Sequence, residues 1–371
     1  MAPTALPGLR VLDFSRVLAG PLATMTLGDL GADVLKVERP GTGDDTRAWG
    51  PPHDEDGVAT YFQSVNRNKR SVALDLQDPT DAETARRLAA DADVVVENFR
   101  PGVMDRLGLG WETLHAANPA LVYCSITGFG TAPAAAALPG YDLLVQALGG
   151  LMSVTGAPKG EPQKVGVALV DVVCGLQATA GILAALHHRR ETGEGQRVEV
   201  DLLSSLLAGL VNQAAGFTAA GAVPARMGNR HPSIAPYEVL DAADGQLVLA
   251  VGNDKQFRAL CTVVGLEEDA RFATNGGRVV NREALREALE ARLRDRSVAD
   301  WVGALTEASV PAGAVNDVAG AFALAERLGL DPIADVDGVP LPRSPIRLSA
   351  TPPTYRAAPP ALGDGEARWR S

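Results

Sequence analysis

The chain repeatedly sets a short apolar run before a turn and then a helix-like stretch, and this alternation restricts its fold more than any other feature. LRVLDFS (9–15) reads as a buried strand that leads through a turn into GPLATMTLGDLGA, where Leu22, Met25 and Leu30 suit a helix packed on a sheet. VLKVERPG (34–41), SVALDLQDP (71–79), DVVVENFRPG (93–102) and LVYCSITGFG (121–130) repeat the strand-then-turn pattern. Asp78 or Thr80 is placed to cap a helix through TDAETARRLAADA. Strands alternating with helices predict a parallel, doubly wound α/β sheet.

Further along, Val172 to Arg190 is apolar and rich in small residues, and it closes on basic residues followed by Gly193 and Gly195, an ordinary helix stop. QRVEVDL follows as a strand, and 203–236 reads as a helix and a linker. YEVLDAADGQLVLAVGND then reads as a pair of strands, and NREALREALEARLRD (281–295) and SVADWVGALTEASV (297–310) as amphipathic helices. Leu285, Leu289 and Leu293 share one face of the first, and Asn281 and Ser297 are natural N-caps. These elements predict a smaller α+β domain. The Pro-rich segment 340–371 is expected to wrap over another part of the molecule.

Charge and composition narrow the chemistry. The net charge of −11 opposes non-specific nucleic-acid binding, which needs a positive surface. No run of 18 or more apolar residues occurs, so no membrane span is expected. The start, MAPTALPGLRVLDF, lacks the basic-then-apolar order of a signal peptide. Cys124, Cys174 and Cys261 lie far apart without metal-ligand spacing, which fits a reduced, cytoplasmic protein. Lys36, Arg39, Lys69, Arg70, Arg100 and Arg106 recur where strands end. They are either solvated loop cations or a set that holds a phosphate-rich nucleotide by charge-assisted hydrogen bonds. Neither G-x-G-x-x-G nor G-x-x-x-x-G-K-[ST] is present.

Asp171, in KVGVALVDVVCG, is the one charged residue between Val165 and Leu186. Such an acid is an N-cap or a functional carboxylate, and the roles are compatible, since the helix dipole would keep it ionised for attack. Cys174 reads as packing, and His187 and His188 as helix-terminal.

The segments LDFSRVLAGPLATMTLGDLGADVLKVERPG, NRNKRSVALDL, ADVVVENFRPGVMDRLGL, YDLLVQALGG and KVGVALVDVVCGLQATAGILAALHHRRETGEGQRVEVDL resemble the CaiB/BaiF family. So do MGNRHPSIAPYEVL, VGNDKQF, VPAGAVNDV and SPIRLSATPP, in the family's order over nearly the whole chain. These are the family III CoA-transferases, which include formyl-CoA transferase and the related α-methylacyl-CoA racemases.

The resemblance implies a large Rossmann-like domain over 1–200 completed by 326–371, a linker at 201–230 and a small α+β domain at 231–325. It also implies an interlocked homodimer. The implied activity moves CoA between an acyl-CoA donor and a carboxylic acid acceptor, with coenzyme A or acyl-CoA as substrate, no permanently bound cofactor and no metal. Asp171 matches the family's nucleophile, which forms an aspartyl–acyl anhydride and then an aspartyl-CoA thioester. Arg39 and Arg106 match residues that contact the CoA phosphates and adenosine. Val17, Leu18, Leu74, Asp75, Leu76, Gln77, Asn98, Phe99, Arg100, Pro139, Gly140, Tyr141 and Asp142 match segments lining the CoA channel. Asn229, Arg230 and His231 are candidates for the acceptor side.

Departures from the family pattern sharpen the expectation. The racemase branch has a histidine base where this chain has Tyr141. A tyrosine, ionising near about 10, replaces it poorly. Formyl-CoA transferase has glutamate at the place of Asp142 and glutamine at that of Leu18, which argues against the formyl/oxalate pair. The alternatives to a CoA-transferase are a racemase or epimerase, a non-catalytic acyl-CoA-binding protein, and a nicotinamide-dependent dehydrogenase, the last discouraged by the missing glycine fingerprint.

Overall fold

The computed structural model describes residues 3–370. Its contacts divide the chain into two compact units, one running through Leu151, Lys164–Ala222 and from Asp331 onward, the other comprising Met152–Gln163 and Val223–Leu330.

The first unit is built on a six-stranded sheet. In chain order its elements begin β1 (Arg10–Asp13), α1 (Ala19–Asp29), β2 (Asp33–Glu38), β3 (Lys69–Ala73), α2 (Pro79–Ala90), β4 (Val94–Glu97), α3 (Trp111–Ala117) and β5 (Val122–Thr127). They continue with α4 (Asp142–Leu148), α5 (Leu169–Thr192), β6 (Arg197–Asp201), α6 (Leu202–Gly209) and α7 (Val211–Ala220). The strands lie in the order β3-β2-β1-β4-β5-β6, and each neighbouring pair is parallel. Asp78 caps α2 by accepting from the N–H groups of Thr80 and Asp81, with Pro79 opening the helix.

Alternation along the strands sends side chains to two separate cores, as a sheet covered on both faces requires. Val11, Val94, Val96, Val122, Cys124 and Ile126 pack on one face with Leu27, Cys174, Ala178 and Ile182 of α1 and α5. Leu12, Leu35, Val95 and Tyr123 pack on the other with Leu88 of α2 and Leu114 of α3. Residues 201–230, expected as a linker, are helical over much of their length, and Leu202 and Leu206 of α6 are buried in the first of these cores.

The 24-residue α5 is long and apolar enough to cross a membrane by length and composition alone, whereas no such span was expected. Its buried face belongs to the α1-side core. Gly175 lets it come close, because a Cβ there would stand 2.6 Å from the carbonyl oxygen of Ala19. Backbone would have to move to admit it. Gly175→Val is therefore expected to destabilise the chain by about 1–3 kcal/mol and to shift the helix end carrying Asp171. Thermal unfolding beside activity would check this, and an unchanged midpoint would count against the close approach.

The second unit has an antiparallel sheet of β7 (Tyr237–Asp241), β8 (Gln246–Ala250) and β9 (Ala312–Ala314) with helices α8 (Asp254–Val264), α9 (Arg282–Leu293) and α10 (Val298–Glu307). Leu240, Leu247, Leu249, Leu260, Leu285, Leu289, Leu293 and Trp301 form its core. Ser297 caps α10 by accepting from the Asp300 N–H, but Asn281 before α9 makes no side-chain cap and donates back to the Gly277 carbonyl.

The chain then returns to the first unit through a two-stranded ladder, β10 (Ile333–Val336) with β11 (Val339–Pro342). Its last segment lies along that unit. Asn68 N–H donates to the Ala357 carbonyl, Gly365 N–H to that of Ser71, and Trp369 Nε1 to that of Leu88.

Candidate active site

The strand order places a topological switch between β1 and β4, since the chain builds outward from β1 on one side and from β4 on the other. Loops leaving the carboxyl ends of such a pair diverge and leave a crevice for a ligand. Here the loops are tied together. Arg16 N–H donates to Asn98 Oδ1 at 2.8 Å and Asn98 Nδ2 donates to the Arg16 carbonyl at 2.7 Å. The Arg16 guanidinium lies over the Phe99 ring, 5.3 Å from its centre.

Two cavities open around this tie. One, of about 340 Å³, is lined by Val17, Leu18, Asn98, Phe99, Arg100, Pro139, Gly140, Tyr141 and Asp171. The other, of about 350 Å³, is lined by Arg39, Leu74, Asp75, Leu76, Gln77, Phe99 and Arg106. Arg16, Phe99 and Val103 border both. Residues far apart in the chain are thus gathered at one sheet end. Close backbone packing helps to form the first wall: a Cβ on Gly140 would stand 2.5 Å from Gly128 Cα.

Asp171 projects from the first turn of α5, whose N-cap is Ala168. It is therefore not the N-cap. Asp142, at the start of α4, serves that end instead: its Oδ1 accepts from the N–H of Val170 at 2.8 Å and of Asp171 at 3.3 Å. Asp142 Oδ2 accepts from Gln146 Nε2 at 2.6 Å. Burial, and then the Asp142 charge, push the Asp171 carboxyl up to about 7. The helix end, expected to keep it ionised, does not hold it in the ordinary carboxylate range, because a helix terminus contributes only about 0.3–1 kcal/mol and desolvation exceeds that.

The proposed cation set separates into two groups. Arg100 lines the first cavity, and Arg39 and Arg106 line the second. Lys36 and Lys69 do not: their side chains are fully buried and paired with Asp44 at 2.9 Å and Asp13 at 3.0 Å. Burial works against the Lys36 charge, but Asp13, Asp44 and Glu38 raise its pKa overall. Burial holds Lys69 down at about 8 against the pull of Asp13. Arg70 pairs with Asp33 and donates to the Arg368 carbonyl. These three neutralise buried acids or tie down the C-terminal segment, so they are not free for phosphate.

Asn229, Arg230 and His231 belong to the second unit. Arg230 pairs with Glu283 and Glu238, and His231 Nδ1 accepts from the Ser233 N–H. A substrate carboxylate at Arg230 would have to displace an existing ion pair. Among the described residues no cluster of three or more His, Cys, Asp or Glu is arranged to hold a metal ion.

Sequence reasoning passed over Arg16 and Tyr61. Arg16 lies in the turn just past β1 and satisfies the same strand-end rule as the cations that were singled out. Tyr61 carried no pattern signal. Burial, followed by the charges of Asp171, Asp142 and Asp44, pushes its phenol up to about 12, so its hydroxyl stays neutral.

Comparison with known proteins bears directly on this arrangement. Residues 6–366 match the family described as CoA-transferase family III. A succinate–glutarate CoA-transferase of Agrobacterium fabrum is 44% identical, over 98% of this chain and 94% of its own. An acetyl-CoA:oxalate CoA-transferase of Acetobacter aceti is 41% identical, over 98% and 94%. The crystal structure of a CAIB/BAIF family protein from Brucella suis superposes with a TM-score of 0.88 at 46% identity, covering 97% of each chain. With its switch-point crevice and an acid on the helix facing it, the chain belongs to CoA-transferase family III and is a CoA-transferase.

Proposed function

We propose that Asp171 is the nucleophile of a transfer of CoA between dicarboxylic acids. The observation that carries this reading is the placement of Asp171 in a cavity that shares Arg16 and Phe99 with a second, arginine-bordered one. The thioester end of CoA then lies beside Asp171, and its phosphates and adenosine lie toward Arg39 and Arg106. Arg100, exposed on the wall of the Asp171 cavity, is placed for the far carboxylate of a substrate. Succinate, glutarate and oxalate, named for the relatives, are dicarboxylic, and the acetyl donor named with oxalate is the monocarboxylic exception.

The steps balance without a further reactant. Asp171 carboxylate attacks the donor thioester, its C–S bond breaks, and CoA thiolate leaves an aspartyl–acyl anhydride. Thiolate attacks the Asp171 carbonyl, releasing the donor acid and leaving aspartyl-CoA thioester. The acceptor carboxylate attacks that thioester and again expels thiolate, which takes the acceptor's acyl carbon and frees Asp171. The thioester's free energy is retained throughout, provided water is kept out.

Exposed Leu176, Leu207, Val211 and Phe217 on α5, α6 and α7 support an interlocked homodimer as the working form. Three free thiols fit a reducing, cytoplasmic setting. Oxygen labelling tests the route. With succinyl-CoA as donor and glutarate carrying ¹⁸O in its carboxylates, one label is expected on Asp171 after a single cycle and then in the succinate released by the next. Label that never reaches Asp171 would rule out the anhydride.

A further inference from the structure

The loop between β1 and α1 is held in a conformation its sequence disfavours. Val17 is β-branched and sits at φ +70°, in the left-handed region where its Cβ crowds the following carbonyl. Val17 and Leu18 line the Asp171 cavity, and α1 begins at Ala19. The loop therefore sets the wall facing Asp171 and the start of the helix whose Ala19 carbonyl meets Gly175 of α5.

A buried polar cluster fastens this loop. Val17 N–H donates to both carboxylate oxygens of Asp44 at 3.3 Å. Asp44 stands 2.9 Å from Lys36 Nζ, with both side chains 0% exposed, and Lys36 Nζ also donates to the Ser15 carbonyl at 2.7 Å. Thr46 completes the carboxylate's shell, donating to Asp44 Oδ1 from N–H at 3.0 Å and from Oγ1 at 2.8 Å. Burying this much charge is costly unless each group is paired, and removing either partner would leave the other stranded. No pocket cation or substrate group is needed to explain the pair; the backbone it grips is.

We infer that Asp44, backed by Lys36, is a positioning residue for CoA transfer, holding Val17 left-handed so that the loop lies correctly against Asp171. This rests on Asp171 as nucleophile. A misplacement of about 1 Å can cost about 100-fold in rate, and Asp44→Ala is expected to lower kcat by about that factor, with a smaller change in KM. Asp44→Asn, which keeps an acceptor for the Val17 N–H, should recover most of the loss. In a Val17→Gly background the same Asp44→Ala change should cost about tenfold less, because glycine takes a positive φ freely. Val17→Pro keeps the buried pair but fixes φ near about −65° and removes the N–H, so it should lose kcat as Asp44→Ala does. It also serves if Asp44→Ala does not fold. A Val17→Pro chain within about threefold of wild type, or an Asp44→Ala loss equal in both backgrounds, would overturn the proposal. Hydrogen exchange at the Val17 amide separates this from the role of Asp171: slow exchange in the wild type and fast exchange in Asp44→Ala is expected whatever the nucleophile, and equal rates would remove the clamp.

Discussion

Asp171→Ala is expected to lower kcat for CoA transfer by about 10⁴-fold or more, the scale on which covalent catalysis fails when its nucleophile is deleted. The second cavity contains none of the residues of α5, so the variant should still bind CoA, as calorimetry would show. Intact-mass measurement gives the complementary readout. Wild-type protein incubated with succinyl-CoA should change mass on the Asp171 peptide, upward after hydroxylamine, which leaves a hydroxamate, and downward after borohydride, which reduces the acyl carbon to an alcohol; the variant should do neither. The nearby thiol is the control. Cys174 is packed in the core, and its thiol is pushed up to about 12, first by burial. Cys174→Ser should therefore keep both label and turnover. A variant lacking Asp171 that transfers within tenfold of wild type would end the nucleophile assignment.

The second large effect is on pH. In the proposed route Asp171 attacks as a carboxylate, and burial together with the Asp142 charge lifts its carboxyl to about 7. Below that value kcat/KM should fall about tenfold per pH unit, and above it the profile should level. Asp142→Asn removes the neighbouring charge while keeping an oxygen for the Val170 N–H, so the acid limb should move to lower pH. Burial remains, so the limb should stay above the ordinary carboxylate range. An unmoved limb would mean that the Asp142 charge does not act on Asp171.

The stability consequence has a definite sign. Because the folded-state value lies above the unfolded one, the native chain binds this proton more tightly between about pH 4 and 7. The group therefore lowers stability as pH rises through that window, by up to about 4 kcal/mol above it. Asp171→Asn should unfold at a higher temperature than wild type at pH 8 and at nearly the same temperature at pH 4. An ionised Asp171 is thus maintained at a cost in stability, as expected where function and folding compete.

What the sequence disclosed, and what it hid, follows from range. Apolar runs such as VLD and VVVE declared their strands because alternation and turn residues are local signals. Arg39 and Arg100 could be placed at strand ends for the same reason, whereas Asn98 was marked only by the family resemblance. Lys36 and Lys69 looked alike in sequence to Arg39 and Arg106. Only the three-dimensional position of Asp13 and Asp44, contributed by other segments, turns them inward. The Asp171 carboxyl likewise takes its properties from Asp142, 29 residues earlier in the chain, and from a degree of burial that spacing cannot express. Capping was ambiguous at Asp171 for the converse reason: local chemistry allowed it, and a remote acid filled the place first.

The return of the last segment to the first sheet bears on how the chain acquires its structure during synthesis. Residues 223–330 can gather their own core as soon as they emerge, whereas the edge strand β3 waits for Gly365 and the helix α2 for Trp369. Contacts spanning some 290 positions, such as Asn68 with Ala357, close late and slow folding. The inserted unit should thus mature first on the ribosome, and the unit carrying the six-stranded sheet should be finished only once the segment from Asp331 onward has emerged.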